Sequence, residues 1–187
     1  MNIPNSLTII RILLIPVFIL VFYLPYKWTH GAAAVLFALG AFTDWLDGYL
    51  ARKLDQTSRF GAFLDPVADK LLVAVALVLL VQADPRAWLA ITAAIIIGRE
   101  IAVSALREFM AEIGQRSTVK VAMVGKIKTL AQMTAIVLML YRVPIADLPT
   151  YAIGYVLLVI AAGLTLWSMF VYLRAAWPSL RPGVESE

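Results

Sequence analysis

Apolar residues arrive in six runs, at 7–26, 31–51, 60–82, 87–111, 120–142 and 151–175, with short polar connections between them. Each run is close to the ~20 residues that a helix needs to cross a bilayer. Pro25, the Asp84-Pro85 pair, and Pro144 with Pro149 mark three of the connections, because these residues break helices and favour turns. The pattern predicts an all-α, polytopic membrane protein of six transmembrane helices. A single membrane domain is expected over 1–177, with a short, loose cytoplasmic tail over 178–187. The first run has no basic stretch before it and no small-x-small cleavage pattern, so it is expected to be retained as a span rather than removed as a signal peptide. Trp28, Trp88 and Trp177 fall near run ends, where an indole anchors at the membrane interface.

Composition strengthens this picture. Of 187 residues, 62% are hydrophobic and 15% charged, with a mean hydropathy of +0.86. A soluble domain is typically about half apolar and about a quarter charged. The excess runs along the whole chain, leaving no separate soluble domain. Cysteine is absent and His30 is the lone histidine, which excludes a disulfide framework and a thiolate or multi-histidine metal site within one chain. Any metal must be held by oxygen, which favours Mg²⁺, Mn²⁺ or Ca²⁺. The net charge of +4 reads as loop charge facing anionic lipid, not as nucleic-acid binding. Arg52, Lys53, Arg59, Arg107, Arg116, Lys120, Arg174 and Arg181 fall on one side of the predicted spans, against Lys27, Arg86 and Arg142 on the other. The excess of Lys and Arg on cytoplasmic loops then places both termini in the cytoplasm.

Four aspartates interrupt the apolar pattern. A charged residue at the centre of a span costs about 2.5–3.5 kcal/mol on insertion scales, so several at one depth need a common cause. Asp44 and Asp47 are three apart on the second predicted helix, and Asp65 and Asp69 are four apart on the third, so each pair shares a helix face. A short cytoplasmic loop joins the two helices, which therefore run antiparallel and bring both pairs to similar depth. Four converging carboxylates repel unless cations neutralise them, and two hard divalent ions would do so. Gly48, Ala51 and Gly61 lie on or beside the acidic faces and leave room for a ligand, and Arg52 is placed to pair with a phosphate. Two other readings of these residues stand beside this one: a structural charge network with Lys53, Arg59 and Lys70, or a cation pathway through a transporter.

The residues Asp44, Asp47, Gly48, Ala51, Arg52, Gly61, Asp65 and Asp69 form the pattern D-x2-D-G-x2-A-R-x8-G-x3-D-x3-D. In this the chain resembles the CDP-alcohol phosphotransferases at every fixed position of their motif. The opening from Asn2 to Arg11, the stretch Arg99 to Glu108, and Gly125 to Thr129 are similar to the phosphatidylglycerophosphate synthase branch found in bacteria, so the likeness spans essentially the full chain. The resemblance implies a CDP-alcohol phosphotransferase fold in the bacterial inner membrane, a homodimer, and a polar cavity facing the cytoplasm. It implies that Asp44, Asp47 and Asp65 bind Mg²⁺ or Mn²⁺, and that Asp69 shares the metal site and acts as general base. It further implies that Gly48, Arg52 and Ser58 contact the CDP portion of a CDP-diacylglycerol donor. Asn5 and Thr8 are candidates for the same donor, or else a helix start.

The acceptor is read from basic residues elsewhere. Glu100, Ser104 and Arg107 follow spacings of four and three and form one helical stripe, with Arg99 beside it. Lys126 and Lys128 lie on the fifth predicted helix. A pocket with this many cations suits an acceptor that carries a phosphate, and glycerol-3-phosphate fits. Arg99 with Glu100 also reads as a structural pair, and Lys126 with Lys128 as snorkelling anchors. A cardiolipin synthase that uses phosphatidylglycerol is the rival reading within the family.

Overall fold

A computed structural model describes residues 3–54, 59–113, 123–145 and 147–180. Six helices account for nearly all of them: α1 (Ile3–Tyr23), α2 (Thr29–Leu54), α3 (Arg59–Ala83), α4 (Ala87–Glu112), α5 (Met123–Tyr141) and α6 (Thr150–Leu180). Each apolar run of the sequence has become one helix. Two ends differ from expectation. Helix α1 starts at Ile3 and stops at Tyr23, two residues before Pro25. Helix α6 continues to Leu180, through part of the segment expected to be a loose tail, while 181–187 lie outside the described residues. Tyr172 and Ala176 are buried against Val103, Leu106 and Met110 of α4, in a small second core below the main one.

Local chemistry sets the connections. The Thr29 hydroxyl lies 2.6 Å from the Tyr26 carbonyl and ties the start of α2 back to the preceding turn. After Pro85, the Arg86 carbonyl accepts from the amides of Leu89 and Ala90 at 3.0 and 3.1 Å and opens α4. Arg142, just past α5, has φ 57° and leaves the helix in the left-handed region, as residues one past a helix end commonly do. The Thr150 hydroxyl then donates to the Val143 carbonyl at 3.0 Å, closing the short connection into α6.

The packing order is not the chain order. Helix α1 packs on α2 and on α3, α2 on α5, α5 on α6, α6 on α4, and α4 on α3. These pairings close a cycle of all six helices. The main core fills it with large side chains from several helices, including Phe18, Phe37, Leu72, Leu80, Ile96, Ile136 and Leu140. The outside of the cycle is apolar too: Leu20, Leu130 and Phe170 are more than 60% exposed. A surface this greasy has no role in water and a direct one in lipid. Among the described residues, three stretches are long and apolar enough to cross a membrane: Ser6–Tyr23, Ala87–Glu112 and Thr150–Arg174. Polar residues at one end of α2 and α3 dilute those helices, and the apolar part of α5 is only Lys128–Tyr141.

The tightest approach lies between α5 and α6, at Gly154. A Cβ there would stand 2.8 Å from the Ala135 carbonyl oxygen and 3.0 Å from the Leu138 Cβ. Backbone cannot yield as a flexible side chain would, so Gly154→Ala is expected to cost about 1–3 kcal/mol. Gly163 on the same helix has nothing within 4 Å of its Cβ position. Gly163→Ala should be neutral or stabilising by up to about 1 kcal/mol through helix propensity. Thermal unfolding of the two variants in detergent checks the contrast.

Candidate active site

A charge inside an apolar helix must find a partner or a purpose. Arg11 of α1 is fully buried, and its Nη1 donates to Asp44 Oδ1 of α2 at 2.8 Å. Its Nε lies 3.4 Å from the Thr43 hydroxyl oxygen, and that hydroxyl donates to the Gly40 carbonyl at 2.8 Å. Asp44 keeps 42% of its side chain exposed, so the pair anchors the carboxylate without burying it. Thr8, one turn before Arg11, is also buried. Asp69 on α3 is partly buried, within electrostatic range of Asp44 and Arg11 on one side and of Glu100 and Lys70 on the other. Gly61, at the start of α3, is buried.

The second half of the site is a charge network that joins α4, α5 and α6. Glu100 Oε1 accepts from Lys128 Nζ at 2.8 Å and from Arg99 Nη1 at 2.9 Å. Arg99 Nη2 donates to the Ser168 hydroxyl at 2.8 Å, and Ser168 donates onward to the Thr165 carbonyl at 2.9 Å. Both cations are almost wholly buried, whereas Glu100 is partly exposed. The Tyr172 ring lies 5.9 Å from the Arg99 guanidinium and 5.5 Å from that of Arg107, near enough for cation–π attraction to both. Arg107 Nη2 reaches the Tyr172 hydroxyl at 3.5 Å. Lys70 donates to the Ser104 hydroxyl, which itself donates to the Glu100 carbonyl at 2.7 Å. Among the described residues, four cations (Lys70, Arg99, Arg107 and Lys128) thus gather around Glu100, with Asp69 the next carboxylate in range, which leaves an excess of positive charge in a low-dielectric setting.

The expected site residues therefore fall into three groups. Asp44 and Asp69 come together where α1, α2 and α3 meet, with Thr8 one turn before Arg11 on α1 and Gly61 two turns before Asp69 on α3. Arg99, Glu100, Ser104, Arg107 and Lys128 come together beside them. The side chains of Asn5, Asp47, Gly48, Ala51, Arg52, Asp65 and Lys126, and all of Ser58, lie outside the described residues. The helix backbone does run unbroken through Asp47, one turn beyond Asp44, and through Asp65, one turn before Asp69. Two of the alternative readings meet the structure here. Lys128 turns its ammonium inward to Glu100 rather than snorkelling outward. Lys70 bonds Ser104 and also lies within electrostatic range of Asp69.

Three partners escaped sequence reasoning. Arg11 is a lone cation in an apolar helix, and that anomaly could have flagged it as the mate of an aspartate. Ser168 and Tyr172 carry no such signal, since single hydroxyls are common in apolar helices. Chemically, the carboxylate side offers only hard oxygen donors. It is partly exposed, already close to a second carboxylate, and free of competing sulfur or imidazole, which fits Mg²⁺ or Mn²⁺. The basic side fits a phosphate.

Comparison with known proteins bears on this geometry. A family model described as CDP-alcohol phosphatidyltransferase matches residues 1–167. A CDP-diacylglycerol–glycerol-3-phosphate 3-phosphatidyltransferase of Pseudomonas fluorescens is 60% identical over 182 residues, covering 97% of this chain and 93% of the relative. A protein of the same name from Yersinia pestis (strain Pestoides F) is 54% identical over 180 residues, covering 96% and 97%. Another, from Sodalis glossinidius (strain morsitans), is 54% identical over 176 residues, covering 94% and 95%.

The network makes an asymmetric prediction. Glu100→Gln leaves two buried cations without their counter-ion and is expected to cost about 3 kcal/mol. Lys128→Met removes one cation while Glu100 keeps Arg99, so its cost should be smaller, about 1 kcal/mol. Equal losses in thermal unfolding would mean that Glu100 does not hold the two cations together.

Proposed function

The chain belongs to the CDP-alcohol phosphatidyltransferase family, and on that premise we propose that it transfers the phosphatidyl group of CDP-diacylglycerol to sn-glycerol-3-phosphate, releasing CMP. The observation that carries the acceptor is the excess of buried and half-buried cations beside Asp69. An uncharged alcohol would leave that charge uncompensated, whereas a phosphate balances it. The names and identities of the relatives support the same donor and acceptor.

The donor sits at the aspartate side. Asp44, Asp47, Asp65 and Asp69 are the residues that would hold two divalent cations, Mg²⁺ or Mn²⁺, whose charge offsets that of the donor's pyrophosphate and of the departing CMP. Arg11 fixes the Asp44 carboxylate from behind, so this ligand is oriented before substrate arrives. Gly48, Ala51, Arg52, Ser58, Asn5 and Thr8 are assigned to the donor. Arg99, Arg107, Lys126 and Lys128, with Ser104, are assigned to the acceptor phosphate, and Glu100 holds Arg99 and Lys128 in register.

The reaction is a direct displacement. The free hydroxyl oxygen of glycerol-3-phosphate forms a bond to the phosphorus that carries diacylglycerol. The bond from that phosphorus to the bridging pyrophosphate oxygen breaks, and CMP leaves with the electron pair. The hydroxyl proton passes to the Asp69 carboxylate, which borders both halves of the site. We assign all six helices to the membrane, with both termini and the site at the cytoplasmic face of the bacterial inner membrane, a reading supported by the distribution of Lys and Arg.

The test is CMP release by purified protein with CDP-diacylglycerol, Mg²⁺ or Mn²⁺, and each candidate alcohol. Release is expected with glycerol-3-phosphate, abolished by chelator and restored by either metal. No release with any alcohol would sink the enzyme reading, and release with phosphatidylglycerol alone would sink the acceptor. Asp69→Asn should lower kcat by about 10²–10⁴-fold, the range for losing a general base, with donor binding retained. Arg107→Ala should raise the KM for glycerol-3-phosphate about tenfold, equivalent to ~1.4 kcal/mol of phosphate contact, with little change in donor KM. Equal losses for both substrates would argue against that assignment.

A further inference from the structure

At the opposite end of the bundle, the last turn of α3, the first turns of α4 and α6, and the residue after α5 bring together Asp84, Arg86, Arg142, Tyr151 and Tyr155. Asp69 and Asp84 are 15 residues apart along α3 and just beyond it, or about 22 Å at 1.5 Å per residue, so this cluster is separate from the candidate active site. A cavity of about 340 Å³ opens there, lined by Ala83, Asp84, Arg142 and Tyr151.

The two arginines differ in one respect. Each guanidinium has a side edge, Nε with Nη2, whose parallel N–H groups match the two oxygens of a carboxylate or phosphate. Arg86 uses that edge fully on Asp84, with Nε to Oδ1 at 2.8 Å and Nη2 to Oδ2 at 2.5 Å. In Arg142 the same two nitrogens are buried and have no hydrogen-bond partner. Asp84 cannot serve both: it is held by Arg86 and also accepts from the Tyr151 hydroxyl. Those bonds, led by Arg86, keep its carboxyl below the usual carboxylate range, with a smaller through-space contribution from Arg142, which does not reach it with a hydrogen bond from Nε or Nη2. Arg142 packs over the other partner in the cluster, with its guanidinium 5.6 Å from the Tyr151 ring. The backbone at Arg142 does not favour arginine either. Its φ of 57° is the left-handed position after a helix, where glycine is the usual residue.

We propose that Arg142 presents an anion site at this end of the bundle, its free Nε–Nη2 edge taking two oxygens of a phosphate group. The exposed aromatic rings around the cavity point to the source. Tyr26, Trp28 and Trp88 are 57–73% exposed at the same end, and such rings lie at headgroup level. A phosphate at that level belongs to a phospholipid, held by Arg142 on the leaflet opposite the candidate active site.

The experiment uses the full-length protein in neutral detergent and follows thermal unfolding with two probes: phosphatidylglycerol in mixed micelles, and millimolar inorganic phosphate. The lipid is expected to raise the midpoint by at least about 2 °C in the wild type. In Arg142→Gly, whose new residue suits the backbone, the rise should vanish while CMP release is unchanged, which shows that the variant is folded. Arg142→Lys, with a charge but no paired edge, should retain part of it. Because both proteins share any lipid effect at the candidate active site, equal shifts in wild type and Arg142→Gly overturn the proposal. A shift that depends on Arg142 with inorganic phosphate but not with lipid supports the anion site and overturns the lipid as its source.

Discussion

The arrangement depends on one constraint: a carboxylate within an apolar bundle must be matched by a cation held in place. Arg11 and Asp44 meet it across α1 and α2, and Glu100 meets it twice, with Arg99 and Lys128. These pairs cost desolvation on both sides, and net stability is a weak reason to keep them. Orientation is a stronger one. Each pair fixes a charged group that faces the same polar region, so the helices are locked in register around the place where the charges are needed.

The helix cycle makes this convergence possible. Helices α1, α2 and α3 supply Arg11, Asp44 and Asp69, while α4, α5 and α6 supply Glu100, Lys128 and Ser168. Every helix contributes at least one polar group at one end and apolar packing beyond it. The site is therefore a property of the whole bundle. The charge is divided in space: Asp44 with Arg11 lies on one side, excess cations lie on the other, and Asp69 stands between them. A pyrophosphate and a phosphate can approach without sharing the same counter-charges.

Much of this was legible in the chain. Length and spacing of apolar runs located all six helices, and the eight fixed residues from Asp44 to Asp69 identified the chemistry. The grouping of Arg99, Glu100, Ser104 and Arg107 followed from helical period, and Lys128 joined them. The missing parts were relations between helices distant in sequence. Nothing local pairs Arg11 with Asp44, Arg99 with Ser168, or Arg107 with Tyr172, because helix order around the cycle is set by packing and not by connectivity. Among the described residues, the Arg142 site had no sequence signal beyond a basic residue near a helix end.

The order of helices in the cycle also sets when the site comes into being. Helices α2 and α4 precede α5 and α6 in the chain, yet the gap between them is filled by that later hairpin. Until that hairpin slots in, Glu100 has no Lys128 and Arg99 has no Ser168. A partly inserted chain would already contain its motif aspartates with Lys70, Arg99 and Arg107, but would lack Lys128 and Ser168. Closing the helix cycle is thus the step that completes the Glu100 network.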